Sequence, residues 1–254
     1  MFESAELGHR VDKQTWKARL PPLREALLEA QFDLLDSGHT AVVVLIGGVE
    51  GAGKGEVVNA LNEWMDPRHI RTEAFGPLTE EERQHPYMWR YWKALPARGK
   101  IGILFGSWYT RPVVDRVLGG CSAAELDLQV KRIRHFERML ARENVLLVKF
   151  WFHLSKKQQK KRFAKLAKNP ETAWRVTDTE RKFLKHYDKF SAVSEQVLRE
   201  TSTGDAPWVV IDGSDDRYRT LTAGELLLSA IRDKLDKGST VSPPAPAPLL
   251  DQIG

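Results

Sequence analysis

Short apolar runs recur along the chain and indicate buried strands. Residues 41–46, 100–105, 144–153 and 207–211 are rich in Val, Ile, Leu, Phe and Trp and are bounded by polar residues, glycine or proline. Apolar runs of this length that do not alternate with polar residues are typical of strands covered on both faces. A weaker run at 70–75 predicts a short additional strand.

Segments with helical periodicity separate these runs. The spacing of apolar positions predicts helices at residues 23–35, 56–65, 86–95, 123–142, 155–168, 179–199 and 221–235. Pro21 and Pro22 precede the first of these helices, and Gly38 follows it as a stop signal. Residues 169–178 are a predicted loop. Because strands and helices alternate, we expect an α/β fold with a parallel, doubly wound sheet.

Composition and the terminal segments narrow the class of protein. The 254 residues are 42% hydrophobic, and no apolar run approaches the roughly 20 residues that a membrane-spanning helix needs. Cys121 is the single cysteine, and the first residues do not resemble a secretory signal, so we expect a cytoplasmic protein that binds no membrane. Residues 1–20 are a predicted irregular lead-in, and residues 238–254 a Pro/Ala-rich linker or tail.

Positive charge is concentrated in one predicted helix. The formal net charge is +5, and residues 156–168 (KKQQKKRFAKLAK) carry seven Lys/Arg and no acid. A run of this kind is commonly a solvated helix face. It also suits docking of a polyanion such as nucleic acid, a nucleotide or inorganic polyphosphate. Nucleic acid is disfavoured because no recognition motif accompanies the charge.

A glycine-rich loop follows the first apolar run. Residues 48–55 read GVEGAGKG between a predicted strand and a predicted helix, which is the arrangement of a phosphate-binding loop. Glycines let backbone N–H groups face a phosphate, and Lys54 adds a full positive charge to the partial charge of the helix N-terminus. The candidate phosphate-binding residues are Gly48, Gly51, Ala52, Gly53, Lys54 and Gly55. Gly55 stands where many such loops carry a Ser or Thr that binds Mg²⁺.

Two further charged residues are candidates for the chemistry. Glu50 lies inside the loop, where a carboxylate would repel bound phosphate unless a metal ion lay between them. Glu50 is therefore either a Mg²⁺ ligand, which we favour, or an outward-facing solvated residue. Arg111 follows the strand at 100–105 and could neutralise transition-state charge, or it could be a surface arginine. The histidines and Cys121 show no zinc-ligand spacing.

Several separated motifs resemble the polyphosphate kinase type 2 family. They are GVEGAGKG at 48–55, LNEWMDPR at 61–68, WRYW at 89–92 with Leu95-Pro96, SWY at 107–109 with Arg111, KFWFHLS at 149–155, and TS at 201–202 with APW at 206–208. The resemblance covers about residues 20–235. It is strongest to the N-terminal domain of the two-domain polyphosphate:AMP phosphotransferases.

The resemblance carries expectations about fold and function. It implies a P-loop NTPase fold of the nucleotide-kinase type over residues 21–237, with a helical basic lid at about 156–180. It also implies Mg²⁺-dependent phosphoryl transfer between polyphosphate and a nucleotide, AMP to ADP, with Glu50, Lys54 and Arg111 as catalytic residues. A second homologous domain, or another copy of the chain, is an implied partner.

Two departures from the family pattern leave an alternative open. Glu50 replaces the family's usual aspartate, and the Asp-Arg that usually precedes Ser-Trp-Tyr is missing, with Gly106 directly before Ser107. The alternative hypothesis is a domain that binds polyphosphate or nucleotide, turns over weakly or not at all, and supports or regulates a fused catalytic domain.

Overall fold

A five-stranded parallel sheet forms the centre of the molecule. In the computed structural model, which describes residues 1–239, the strand order is β2-β3-β1-β4-β5. The strands are β1 (Ala41–Gly48), β2 (Ile70–Ala74), β3 (Ile101–Phe105), β4 (Val145–His153) and β5 (Trp208–Asp212). In the register of the three middle strands, Val44 of β1 lies between Ile103 of β3 and Val148 of β4. The predicted strands and their parallel pairing are confirmed.

Among the described residues, ten α-helices flank this sheet. They are α1 (Lys13–Ser37), α2 (Lys54–Trp64), α3 (Glu80–Arg83), α4 (Trp89–Ala94), α5 (Thr110–Leu118), α6 (Ala123–Arg142), α7 (Lys156–Lys168), α8 (Asp178–Lys185), α9 (Tyr187–Thr201) and α10 (Asp216–Ser239). Short 3-10 helices occupy Glu3–Glu6, Pro67–His69 and Ala173–Arg175. Within residues 1–239, no helix combines the length and the apolar character needed to cross a bilayer.

The alternating side chains of β1 explain the two hydrophobic layers. Val42 and Val44 face a layer built mainly from α1, α2 and α10. Val43 and Leu45 face the opposite layer, which α5, α6 and α9 cover. All four side chains are fully buried, as the uninterrupted apolar run predicts for a strand between two helical layers.

The predicted lead-in at residues 1–20 is wrong from residue 13 onwards. Helix α1 begins at Lys13, where the Asp12 side chain accepts hydrogen bonds from the backbone N–H groups of Gln14 and Thr15. Pro21 and Pro22 lie inside this helix. Each proline removes one helical hydrogen bond, but the buried apolar face that α1 packs against the core keeps the chain helical.

The predicted helix at 179–199 is interrupted at His186. Helix α8 belongs to a small separate hydrophobic cluster, in which Leu184 packs against Phe163, Leu166 and Val176. Helix α9 belongs to the main core instead. The break thus separates the small cluster formed by α7 and α8 from the main core. The predicted tail also begins later than expected, since α10 continues to Ser239, and the rest of residues 238–254 lies outside the described residues.

Candidate active site

The glycine loop lies at the carboxyl end of β1, the edge of a parallel sheet where ligands bind in α/β folds. Gly48, Gly51 and Gly53 have φ angles of 138°, 81° and 85°. A Cβ at Gly48 would overlap the backbone of Phe152, and one at Gly53 would overlap the side chain of Arg219. Glycine is therefore required at both positions by conformation and by space.

Lys54 is held across the loop. Its ammonium group donates to the carbonyl oxygens of Gly48 at 2.9 Å and Val49 at 3.2 Å, and to Glu50 Oε1 at 3.1 Å. The side chain is 12% exposed. These contacts keep the cation at the mouth of the loop, where phosphate oxygens can replace the carbonyl groups as its partners.

The Glu50 side chain is paired with the lysine of the loop. Its side chain is 41% exposed and pairs with Lys54, and its carbonyl oxygen accepts a hydrogen bond from Gln159 Nε2 at 2.8 Å. Among the described residues, no group of three or more His, Cys, Asp or Glu could hold a metal ion. A metal at Glu50 would therefore need further ligands from the substrate or from water. Its role as a Mg²⁺ ligand stays a prediction.

The segment that the family resemblance interprets as a lid lies beside this loop. It consists of α7, the 3-10 helix Ala173–Arg175 and the start of α8, and its action as a lid stays a prediction. The hydrogen bond from Gln159 of α7 to the Glu50 carbonyl connects this segment to the glycine loop. Two lid arginines reach Glu56 in the first turn of α2, with N–O distances of 2.9 Å for Arg162 and 3.3 Å for Arg175.

Glu56 also pairs with Arg219 of α10, so one carboxylate binds three guanidinium groups. Sequence reasoning missed this cluster. The available signal was an acid two residues after the loop lysine, in a chain whose segment 156–168 carries seven Lys/Arg and no acid.

Arg111 lies in the first turn of α5, after the carboxyl end of β3. Its Nε is 3.3 Å from Asp115 Oδ2, and its side chain is 57% exposed. In the described part of the chain, no hydrogen bond or ion pair joins Arg111 to the glycine loop. The structure therefore does not place Arg111 beside the glycine loop, and its catalytic role stays a prediction.

Gly106 follows β3 directly, where the family pattern leads us to expect an acid. Its φ angle is 81°, a left-handed conformation that disfavours most side chains. A Cβ at this position would meet its nearest atom, the carbonyl oxygen of Phe75, at 3.5 Å, which is ordinary contact. Backbone conformation rather than lack of space therefore opposes a carboxylate here.

The turn at residues 107–109 is fixed by hydrogen bonds to its backbone. Tyr87 donates its hydroxyl to the carbonyl of Trp108 at 2.9 Å, and Tyr91 donates to the carbonyl of Ser107 at 3.1 Å. Burial raises the pKa of both tyrosines, so they remain protonated donors. The backbone of this turn is therefore anchored before it enters α5.

A buried ion pair holds the side chains of the same turn. Glu137 Oε1 accepts from Trp108 Nε1 at 3.0 Å and from the Tyr109 hydroxyl at 2.6 Å, while its Oε2 lies 2.8 Å from Lys149 Nζ. Lys149 also donates to the carbonyl of Thr201 at 2.9 Å. Burial lowers the pKa of Lys149, and Glu137 opposes that effect. Sequence reasoning missed this pair because Lys149 interrupts an otherwise apolar strand without any local partner.

Comparisons with known proteins agree with the fold and identify the family. A sequence model described as Polyphosphate kinase 2 matches residues 10–238. A polyphosphate:AMP phosphotransferase of Pseudomonas syringae pv. tomato is 50% identical over 93% of this chain and 48% of its own length. A second one, from Pseudomonas aeruginosa, is 47% identical over 100% of this chain and 51% of its own length.

A solved structure extends the similarity to three dimensions. The crystal structure of Polyphosphate Kinase 2 from Arthrobacter aurescens TC1 superposes with a TM-score of 0.85 at 29% identity, covering 96% of this chain and 86% of that chain. This chain spans about half the length of the two Pseudomonas relatives that it matches. The match to the family model nevertheless extends from helix α10 back to the residues before α1. The chain therefore belongs to the polyphosphate kinase 2 family.

Proposed function

We propose that this chain transfers a phosphoryl group between inorganic polyphosphate and a nucleoside phosphate, with AMP as acceptor and ADP as product. The observation that carries the proposal is Lys54 in a glycine loop at the carboxyl end of β1, closed by a lid rich in Lys and Arg. The names of the two Pseudomonas relatives support AMP as the acceptor.

In the proposed reaction, a phosphate oxygen of AMP attacks the terminal phosphorus of the polyphosphate chain. The new P–O bond forms as the anhydride bond to the next phosphate breaks, and the shortened chain leaves with the bonding electron pair on its terminal oxygen. The acceptor phosphate is already anionic near neutral pH, because its second pKa is about 6. The reaction therefore requires no strong general base, and catalysis depends on positioning and charge.

The residues of this chain would supply both the positioning and the positive charge. Lys54 and the loop N–H groups would hold the phosphoryl group that transfers, because the loop leads directly into the N-terminus of α2. Arg111 and the lid cations would offset the charge that spreads over the equatorial oxygens. The lid would also exclude water, so that AMP rather than water accepts the phosphoryl group.

Glu50 provides one hard oxygen ligand for Mg²⁺. Protein sites for Mg²⁺ in phosphoryl transfer often use one or two carboxylates and complete the coordination with substrate phosphates and water. The exposed carboxylate of Glu50, four residues before Lys54, fits such a shared site. When bound, the ion would neutralise charge on the phosphate chain.

The alternative is a domain that binds phosphate chains but turns over weakly, beside a homologous catalytic domain or a second copy of the chain. Two observations favour it. Gly106 offers no carboxylate at the end of β3, and the Glu50 carboxylate pairs with Lys54. The half-length match to the Pseudomonas relatives also leaves room for a second domain in the natural protein. A cytoplasmic location is part of both proposals.

One assay separates the two. The purified chain is incubated with polyphosphate, Mg²⁺ and AMP, and ADP is measured for the unchanged protein, for Lys54→Ala and for Lys100→Ala. Lys100 is an exposed lysine before β3, at the opposite edge of the sheet, and serves as the matched control. The catalytic proposal requires ADP formation that depends on Lys54 and not on Lys100. If no such activity is found but polyphosphate binding persists, the alternative is supported.

A further inference from the structure

The cluster around Glu56 has the chemistry of a phosphate site. Arg162 comes from α7, Arg175 from the 3-10 helix Ala173–Arg175 and Arg219 from α10. All three direct guanidinium N–H groups at one carboxylate. Guanidinium groups bind the oxygens of a phosphate and of a carboxylate in the same way. Three cations around one anion leave an excess of positive charge that a single carboxylate cannot balance.

Unused donors in the cluster point the same way. The Nε atoms of Arg162 and Arg219 are buried and have no hydrogen-bond partner. Arg219 is only 3% exposed, and its remaining nitrogens are bound to Glu56 and to the carbonyl of Gly213. Burial lowers the pKa of Arg219, which Glu56 opposes. Arg219 Nε packs against Gly53. A buried donor without a partner is costly, so Arg162 Nε indicates that the cluster accommodates a ligand with more acceptor oxygens than a carboxylate has.

A cavity of about 540 Å³ opens beside the cluster, on the flank of α2. Its wall provides further donors from Lys165 and Ser214. Two acids, Glu63 and Asp216, also line it. With Glu56 in place, the three acids of the wall balance its three basic side chains, whereas the wall is net basic once Glu56 has moved away.

We infer that Arg162, Arg175 and Arg219 form a second phosphate-binding site next to the glycine loop, and that the Glu56 carboxylate competes with the ligand for these arginines. The inference rests on the proposed function for its ligand, which is a phosphate group of the polyphosphate chain. Arg219 also packs against Gly53, so this site and the loop share a wall. A chain that occupies both would displace Glu56 from the arginines and keep the lid closed through its own oxygens.

The central test is Glu56→Gln, which removes the charge and keeps the size of the side chain. Binding of long-chain polyphosphate, inorganic triphosphate and AMP is measured by titration calorimetry at two salt concentrations. We expect the variant to bind polyphosphate up to about fivefold more tightly, the order of change when one competing charge is removed from a partly exposed site. The double variant Glu56→Gln/Arg162→Gln should lose this gain.

The matched control is Glu73→Gln on β2. Glu73 has a similar exposure, 32% against 34% for Glu56, and pairs with a single arginine, Arg71. Its affinity for polyphosphate should equal that of the unchanged protein. Melting temperatures of all variants show whether the fold is retained.

A second background distinguishes failure of this inference from failure of the proposed function. Every titration is repeated with Lys54→Ala, which impairs the glycine loop and any turnover. If Glu56→Gln still strengthens polyphosphate binding there, the site stands whether or not the chain is catalytic. If AMP alone binds more tightly, the ligand is the phosphate of the nucleotide rather than that of the chain. Unchanged or weaker binding of all three ligands by Glu56→Gln would overturn the inference.

Discussion

Replacing Lys149 by methionine tests the buried ion pair beneath the 107–109 turn. The ammonium group is fully buried and 2.8 Å from Glu137, which is 3% exposed, so the substitution leaves a carboxylate inside the protein without its cation. Removing one partner of a buried pair costs about 3–5 kcal/mol. Since domains are stable by only about 5–15 kcal/mol, Lys149→Met should remove a large fraction of the free energy of unfolding.

Urea unfolding followed by tryptophan fluorescence measures this loss. Lys131→Met on α6, which changes an exposed lysine, is the control and should stay within about 0.5 kcal/mol of the unchanged protein. Adding Glu137→Gln to Lys149→Met removes the isolated charge and should recover about 1–3 kcal/mol, because a neutral amide is cheaper to bury. A loss below about 1 kcal/mol for Lys149→Met, or no recovery in the double variant, would refute the reasoning.

Three further predictions concern the loop and the sheet edge. Gly53→Ala should abolish polyphosphate binding in calorimetry, because a Cβ there overlaps Arg219 and φ is 85°; binding equal to that of the unchanged protein would contradict the geometry. Gly55→Ser should leave the unfolding free energy unchanged or raise it by up to about 0.5 kcal/mol in urea, since nothing lies within 4 Å of its Cβ position. Burial lowers the pKa of His153 from its ordinary 6.5, so the folded state disfavours the charged ring and stability should fall as the pH drops below about 6.5. His153→Gln should flatten that pH profile of the unfolding free energy, and an unchanged slope would argue against this role.

The sheet was predictable because its signal is local. Each central strand is a run of apolar residues with polar or glycine boundaries, and burial on both faces requires nothing more than that run. The glycine loop was predictable for a similar reason. The backbone at Gly48, Gly51 and Gly53 adopts conformations that favour glycine, so the sequence motif directly indicates the backbone geometry.

Helix boundaries were less predictable because tertiary packing decided them. Pro21 and Pro22 are strong local stop signals, but α1 continues through them as its buried face packs against the core. The break at His186 has no strong local signal at all. It is set by the change of partners from the lid cluster to the main core, which the sequence pattern of 179–199 does not reveal.

The charge clusters were not predictable because their members are distant in sequence. Glu56 is 106 residues from Arg162 and 119 from Arg175, and Glu137 contacts Tyr109 across 28 residues. No spacing rule connects such positions. The basic run at 156–168 was recognisable, but the residue that it faces could be identified only from the folded chain.

The packing of Arg219 behind Gly53 has a consequence for how the protein is made. The glycine loop is synthesised early, but Arg219, which packs against Gly53, belongs to α10. Arg219 follows Glu56, at the start of α2, by 163 residues. On the ribosome, β1 and the loop therefore emerge long before their supporting wall exists. Because long-range contacts of this kind form only after the intervening chain has folded, the glycine loop should acquire its final shape only when α10 docks, which would delay any ligand binding at the loop until α10 has been synthesised.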